Sequence, residues 1–453
     1  MKFERALSLA ERFPHDFTLQ YPPRREYFQA RFRASSDPQE LAQRIGASPE
    51  LLLYVHVPFC AAKCSYCNFA VDLRAGGNVH RTYVDALGKQ LQALEPLLGD
   101  DVHIPGIDIG GGTPTILDAG LLKQLIQWLE PFRRRSNHDR PVSIETTPAI
   151  AAIFPDRLKV IADGGVDRIS MGLQSTSTSM LEFINRRDQA GQQILAVRNL
   201  VQAGFERVNV DLIFGLPGQS LAQWAEDLTQ ALDLPVTSMT IYDCLYRGKG
   251  RALTRRQLTW PGPEQYGTMY DFAHEKLCAA GFHAPYGSLN FSRLPDETGT
   301  SPYFESRLCN ACPYIGIGNY ASSMLGDRWW FAPYHVDDWV KRVERGELLP
   351  QGDCYLLPLD ERLAKQVLLS LSFGEIRARR LDSVIGPEWR ALLDPALSVA
   401  VSAGWLYPTP KGWAVVPGSF GNMPKLRSLF YSTEAISWLD RLNRSAPSFA
   451  GVR

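Results

Sequence analysis

Short apolar runs of strand length alternate with longer stretches in which apolar residues recur at helical spacing, from about residue 51 to residue 246. The runs at 51–57, 104–110, 142–147, 168–174, 208–214 and 239–245 predict strands. The stretches at 83–98, 121–132, 155–162, 191–203 and 221–232 predict helices between them. Six strands joined by crossover helices imply a parallel sheet with right-handed connections. The expected fold is therefore α/β, a partial (β/α)6 barrel of the TIM type, with reactive groups at the carboxyl ends of its strands.

Outside this region the pattern is coarser. An amphipathic helix is predicted over 264–280 and a strand over 283–291, followed by an aromatic-rich segment with Trp329, Trp330, Phe331, Tyr334 and Trp339. Such a cluster is more often packing than a ligand wall, although its place after a glycine-rich turn makes it a candidate wall for a flat apolar substrate. Helices over 360–373 and around 397–401 precede two short strands about a turn within 404–416, which suggests a mainly helical, winged-helix-like module over the barrel mouth. The expected organisation is an N-terminal arm at 1–50, the barrel core at 51–250, an extension at 251–354 and the C-terminal module at 355–453.

Composition narrows the class. A chain of 453 residues accommodates one large barrel and smaller modules. Its formal net charge of zero gives no electrostatic case for nucleic acid or an anionic membrane as a partner. The start carries scattered charges with no uninterrupted apolar run, and no stretch reaches eighteen apolar residues, so neither a signal peptide nor a membrane anchor is expected. Eight cysteines, three of them in one loop, point to a reducing cytoplasm and not to a disulfide framework.

Those three cysteines carry the candidate chemistry. Cys60-Ala61-Ala62-Lys63-Cys64-Ser65-Tyr66-Cys67 has the spacing C-x3-C-x2-C and begins just after the first predicted strand. Three thiolates can hold three irons of a cubic iron–sulfur cluster and leave the fourth open to a small molecule, whereas an electron-relay cluster takes four. A structural zinc site, with His56 joining the cysteines, is the bland alternative. The run Gly110-Gly111-Gly112-Thr113-Pro114-Thr115 follows the second strand, where bare backbone amides can cradle a carboxylate, although a tight turn reads the same way. Glu145, Gln174, Asn209 and Asp211 lie at or near other strand ends, and Arg186 could pair with a carboxylate. Each alone is explained by a capped strand end or a solvated loop. Cys309 and Cys312 form a C-x2-C pair with no nearby second pair to complete four ligands.

The cluster loop resembles the signature of the radical S-adenosylmethionine (SAM) superfamily, including the aromatic Tyr66 before the third cysteine. The resemblance narrows to the oxygen-independent coproporphyrinogen III oxidase-like family on six segments in order: 53–60, 110–115, 143–145, 169–174, 185–186 and 209–217, with weaker similarity at 314–323. It implies that Cys60, Cys64 and Cys67 ligate a [4Fe–4S] cluster, and that Tyr54, Gly111, Gly112, Thr113, Glu145, Gln174, Arg186, Asp211, Ile213 and Cys244 surround the SAM bound to it. Some members hold a second SAM, near which Gly112 and the turn around Ile317 would lie.

Family members that decarboxylate coproporphyrinogen have a further cysteine two residues past the third; here that residue is Phe69. The departure resembles the branches that act as haem chaperones or as methyl- or methylene-transferring enzymes, and the expected reaction is the latter, in which a 5′-deoxyadenosyl radical takes hydrogen from a second SAM and carbon is added to an unsaturated natural-product substrate as a methyl group or a cyclopropane. The alternatives are oxidation of coproporphyrinogen III or another tetrapyrrole, and haem trafficking. The N-terminal arm, which the shorter haem-chaperone branch largely lacks, favours an enzyme. A small-molecule substrate and an electron donor such as flavodoxin or ferredoxin are the expected partners.

Overall fold

The computed structural model describes residues 2–17, 21, 25–186, 190–244, 260–349 and 352–445. Leu245, the predicted end of the sixth strand, the expected boundary at 250 and residues 22–24 of the arm lie outside them. All six predicted parallel strands are present, as β2 (Leu52–Val57), β3 (Ile107–Gly111), β4 (Val142–Thr146), β5 (Arg168–Gln174), β6 (Arg207–Phe214) and β7 (Ser238–Asp243), paired in that order. Crossover helices follow them, and polar caps set where several begin. Asp118 accepts from the Leu121 amide at the start of Ala119–Arg133, and Ser220 and Gln223 form a reciprocal capping box on Leu221–Leu232.

The sheet is longer than its six parallel strands. On one side β8 (Asn290–Ser292) pairs antiparallel with β7. On the other, β9 (Tyr314–Ile317) runs parallel to β2 and is followed by antiparallel β10 (Ser322–Leu325), β11 (Arg328–Phe331) and β12 (Asp353–Leu356). β1 (Arg33–Ala34), from the N-terminal arm, pairs with β12. Among the described residues this makes a sheet of twelve strands, so the segment from 314 to 356 continues the barrel wall.

The expected strand at 283–291 is reduced to β8 and isolated bridges of His283 with Ser292 and of Ser288 with Phe373, because Gly287, in the left-handed region at φ 89°, turns the chain away. The aromatic segment packs. Trp329, Trp330 and Trp339 are buried in the core, which removes them as walls of a substrate site, while Tyr334 stays exposed.

Side chains alternate along the wall. In β2, Leu53, Val55 and Val57 join Tyr83, Val84 and Leu87 of the Gly77–Leu94 helix in the main core. Leu52, Tyr54 and His56 face the other way, into the barrel. The same parity turns Asp108, Glu145, Ser170, Gly172, Asn209, Asp211 and Ile213 inward. The helix Pro302–Cys309 lies across the amino-terminal ends of β2 and β3, where Gly106 is required, since a Cβ there would come within 2.2 Å of the Tyr303 nitrogen.

The C-terminal residues form the helices Leu359–Ser370, Trp389–Ser402, Met423–Phe430 and Thr433–Ser445 and a small sheet of β13 (Glu375–Arg377), β14 (Leu406–Thr409) and β15 (Gly412–Val415). The N-terminal arm packs against them. Buried Glu361 accepts hydrogen bonds from Tyr21, Tyr27 and Ser432, each at 2.6 Å, and Arg5 pairs with Asp440. A buried carboxylate needs such partners to offset its desolvation.

Candidate active site

The cluster loop leaves the carboxyl end of β2 and closes on itself. The Cys60 amide donates to Asp72 O (3.1 Å) and the Asp72 amide to Pro58 O (2.8 Å), and between them lie all three cysteines. Each of these is a free, partly accessible thiol. Burial pushes Cys60 up to about 11 despite the Thr113 hydroxyl 3.7 Å away, and pushes Cys67 up as well. Loop geometry alone therefore does not make these groups thiolates; iron would, because coordination deprotonates a thiol.

Among the described residues no three His, Cys, Asp or Glu side chains converge on a point suited to one ion. Three thiolates that each hold a different iron of a cubane need not meet at one point. His56 does not join the cysteines. Its ring is buried, with Nε2 3.3 Å from Ala70 O and Nδ1 3.3 Å from the Tyr54 hydroxyl.

The glycine run is a close-approach surface. A Cβ on Gly110 would lie 2.9 Å from the Glu145 carboxyl, one on Gly111 2.5 Å from the His56 ring, and one on Gly112 2.7 Å from the backbone of Pro58 and Phe59. Only bare backbone lets β3 seat against the cluster loop here. The Gly111 amide donates to Glu145 Oε2 at 3.0 Å.

Glu145 is surrounded by protein yet open to the barrel hollow. Burial raises its carboxyl to about 7, opposed by the Gly111 amide and reinforced by Asp211 and Asp108. Burial also raises Asp211 to about 6 against Arg168, Asn209 and Ser170, and Asp108 to about 6 against Ser301, Arg168 and Arg307. Asn209 donates to Asp211 at 2.7 Å and to Ser170 at 2.9 Å. The guanidinium of Arg168, buried among these carboxyls, donates to Ser143 and Gly299 O, while Arg307 acts on Asp108 and Arg186 on Asp211.

At the end of β5 the register slips between Gly172 and Gln174, and Gln174 takes φ 72°. Strained backbone of this kind concentrates at ligand sites. The Gln174 Oε1 is buried and has no hydrogen-bond partner among the described residues. Arg186 donates to Gly172 O, lies 3.5 Å from the Tyr66 hydroxyl and sits 3.8 Å from Cys64 Sγ, so a fixed positive charge stands beside the thiols. Ile213 and Cys244 pack with Met180, Leu181, Ile184 and Leu216 against Tyr66, forming an apolar wall at the mouth. Burial pushes the Cys244 thiol up to about 12.

The barrel therefore gathers Tyr54, the cluster loop, Gly111, Gly112, Thr113, Glu145, Gln174, Arg186, Asp211, Ile213 and Cys244 around one hollow. Ile317 differs, since its side chain is buried in the main core on the helix side of β9. Cys309 and Cys312 are buried apart from the cluster loop, in two apolar groups near the helix Pro302–Cys309. Asp108 and Arg168 are site residues that sequence reasoning passes over. The inward parity of Ile107-Asp108-Ile109 was the available signal for the first.

The model of the radical SAM superfamily matches residues 54–231. The chain is 26% identical over 363 residues to the Heme chaperone HemW of Bacillus subtilis, covering 76% of this chain and 91% of that one. It is 32% identical over 319 residues to the mitochondrial radical S-adenosyl methionine domain-containing protein 1 of Danio rerio, covering 69% and 67%. It is 24% identical over 359 residues to the oxygen-independent coproporphyrinogen III oxidase of Pseudomonas aeruginosa, covering 76% and 77%. The solved coproporphyrinogen III oxidase HemN of Escherichia coli superposes with a TM-score of 0.72 at 21% identity, over 89% of this chain and 95% of that one, a likeness of fold.

These relatives correct the expected reaction. They bear the names of a haem chaperone and of coproporphyrinogen oxidases, and nothing in them supports methyl transfer or cyclopropanation. Phe69 fits a haem-chaperone branch as well as a carbon-transferring one, so it does not favour carbon transfer over the similarity along most of the chain. The [4Fe–4S] cluster and SAM are the cofactors that go with the shared core, and the Gln174 oxygen, without a partner among the described residues, and the Gly112 cradle fit them. The chain belongs to the radical SAM superfamily and to its HemN/HemW-like group.

Proposed function

We propose that this radical SAM enzyme acts on a tetrapyrrole, abstracting hydrogen from it to oxidise or remodel the macrocycle. The observation that carries the reading is the extent of the likeness to proteins named for coproporphyrinogen III and for haem, which runs well beyond the cofactor-binding core. The N-terminal arm, tied to the C-terminal helices through Glu361, supports an enzyme of the longer architecture over a shorter chaperone.

When bound, the reduced cluster and SAM supply the one-electron cleavage that starts hydrogen abstraction. The chain's own residues bind and orient. Cys60, Cys64 and Cys67 hold iron, with Arg186 balancing thiolate charge beside Cys64. Glu145 and Asp211 receive the cationic and hydroxyl-bearing parts of SAM, and Gln174 supplies its unpartnered oxygen to the same ligand. Tyr66, Ile213 and Cys244 keep water from the reacting region.

Phe69, in place of a fourth cysteine, separates the chain from the decarboxylating pattern, so the reaction assigned is tetrapyrrole oxidation or remodelling without commitment to vinyl formation. The second reading, haem trafficking, is favoured by the HemW likeness. Reduced, reconstituted protein incubated anaerobically with SAM and either coproporphyrinogen III or haem decides between them. Formation of 5′-deoxyadenosine together with an altered tetrapyrrole supports the enzyme. Stoichiometric haem binding with no SAM turnover overturns it in favour of trafficking.

A further inference from the structure

Four rings lead outward from the barrel beside the cluster loop. His56 and Tyr320 have ring centres 6.5 Å apart, Tyr320 and Tyr334 5.0 Å, and Tyr334 and His335 5.1 Å, each pair edge to face. Exposed aromatics scattered singly need no explanation. These are continuous with the inward face of β2, and the chain accepts strain to place them.

Gly318 takes φ 102°, and a Cβ there would meet His56 O and the Tyr83 hydroxyl at 2.7 Å. Tyr320 takes φ 59°, in the left-handed region that bulky residues avoid and that recurs at ligand clamps. Asn319 locks the turn. Its amide donates to the Tyr83 hydroxyl at 3.1 Å, its Nδ2 donates to Tyr334 O at 2.9 Å, and Tyr83 in turn lies 2.8 Å from His56 O. Arg74, just past the cluster loop, pairs with Asp337 at 2.9 Å, so the outer rings are tied to the loop that carries the cysteines.

At the outer end the groups are accessible. Tyr334 is 44% exposed, and His335 is exposed with no hydrogen bond or ion pair to its ring among the described residues. Phe69 and Leu73 of the cluster-loop segment are exposed as well, at 51% and 54%. Ring edges and faces suit a flat macrocycle. An accessible imidazole suits its iron, since haem iron takes histidine or tyrosine as an axial ligand.

We propose that His335 is the axial ligand of an iron tetrapyrrole that lies across Tyr320 and Tyr334 at the barrel mouth. The proposal rests on the tetrapyrrole reading above and adds where and how the macrocycle is held. Coordination is simple: a ring nitrogen of His335 donates its lone pair to iron in place of a bound water, with no change in oxidation state.

Titration of the full-length protein with ferric haem and, separately, with metal-free coproporphyrin tests it, read by the Soret band and by electron paramagnetic resonance of the iron. The expected result is a histidine-ligated spectrum in the parent protein. In His335→Ala that spectrum is lost, haem affinity falls by at least about tenfold, and added imidazole restores the band. Binding of the metal-free ring should be unchanged in His335→Ala and weakened in Tyr334→Ala. An unchanged haem spectrum and affinity in His335→Ala overturns the ligand assignment while leaving the tetrapyrrole reading standing. Failure of the parent protein to bind either ring overturns both. Unchanged circular dichroism and thermal midpoint in each variant shows that a loss is local, and His335→Gln, which keeps a polar side chain at this exposed position, provides a second readout.

Discussion

The Tyr54 hydroxyl and His56 Nδ1 lie 3.3 Å apart on the inward face of β2, and the other nitrogen of that ring lies 3.3 Å from Ala70 O in the cluster loop. A carbonyl can only accept, so Nε2 carries the proton and Nδ1 receives the one from Tyr54. One neutral imidazole thus orients a hydroxyl of the SAM hollow and braces the loop that holds the cysteines. Burial lowers His56 to about 4 from its ordinary 6.5, only partly opposed by its bond to Ala70 O.

The unfolded chain therefore binds the proton first. Stability from this group is fully present above about pH 6.5 and is lost as pH falls toward 4, by up to about 3 kcal/mol over that window. Urea midpoints at pH 7.5 and pH 5 should differ by less in His56→Phe than in the parent protein. Equal pH dependence in the two removes His56 as the titrating group.

Glu145 titrates with the opposite sign. Its folded carboxyl is raised to about 7 from 4.5, first by burial and then by Asp211 and Asp108, so the folded protein keeps a proton that the unfolded chain has lost. Stability falls as pH rises from about 4.5 to 7, by an amount moderated by the opening of the side chain to the hollow. Glu145→Gln should flatten the thermal midpoint across that window and raise it above pH 7. The same variant should weaken SAM binding by about tenfold, measured by equilibrium dialysis, because a charge-assisted contact is exchanged for a neutral one. SAM affinity equal to that of the parent protein removes Glu145 from the site.

The parallel strands and their helices are legible in the sequence because each decision is local: an apolar run, a capping residue such as Asp118 or the Ser220–Gln223 box, and a crossover of adequate length. β10 and β11 are not. Ser322-Ser323-Met324-Leu325 and Arg328-Trp329-Trp330-Phe331 become strands by pairing with each other and with β12, and that pairing buries Trp330 while nothing in the run itself forces it. The cysteine spacing and the glycine run are equally local and are readable. The role of His56, the charge of Asp108 and the left-handed Gln174 depend on register with neighbouring strands, which residue spacing along one strand does not fix.

Gly112 tests whether the glycine run serves the loop or merely turns. A methyl there meets Pro58 and Phe59 backbone, which cannot swing aside, and Pro58 and Cys60 are the anchors of the loop's neck. Gly112→Ala should displace the loop at a cost of about 1–3 kcal/mol. Iron content and cluster absorbance after anaerobic reconstitution should fall well below those of the parent protein while the circular dichroism stays native. Gly191, where an added methyl would have nothing within 4 Å of it in the helix Ala190–Ala203, is the control. Gly191→Ala should raise stability by up to about 1 kcal/mol and leave iron loading untouched. Full cluster loading in Gly112→Ala would show that the close approach is dispensable.

Asp243, the last residue of β7, is joined at 3.5 Å by Arg427 from the helix Met423–Phe430, and both side chains have no exposure at all. The pair fastens the C-terminal helices to the barrel wall one residue before Cys244, which packs with Ile213 at the mouth. Removing one partner from a buried pair leaves an uncompensated charge and costs about 3–5 kcal/mol, whereas replacing both with apolar groups of similar size is often close to neutral. Arg427→Met should lower the urea midpoint strongly, and the double variant Arg427→Met/Asp243→Leu should recover more than half of that loss. The double variant should bind SAM less tightly than the parent protein, because β7 then ends without its fixed attachment and the Ile213–Cys244 wall loses its register. A single-variant cost below about 1 kcal/mol, the range of exposed ion pairs, would mean that the junction is held by apolar packing and not by charge.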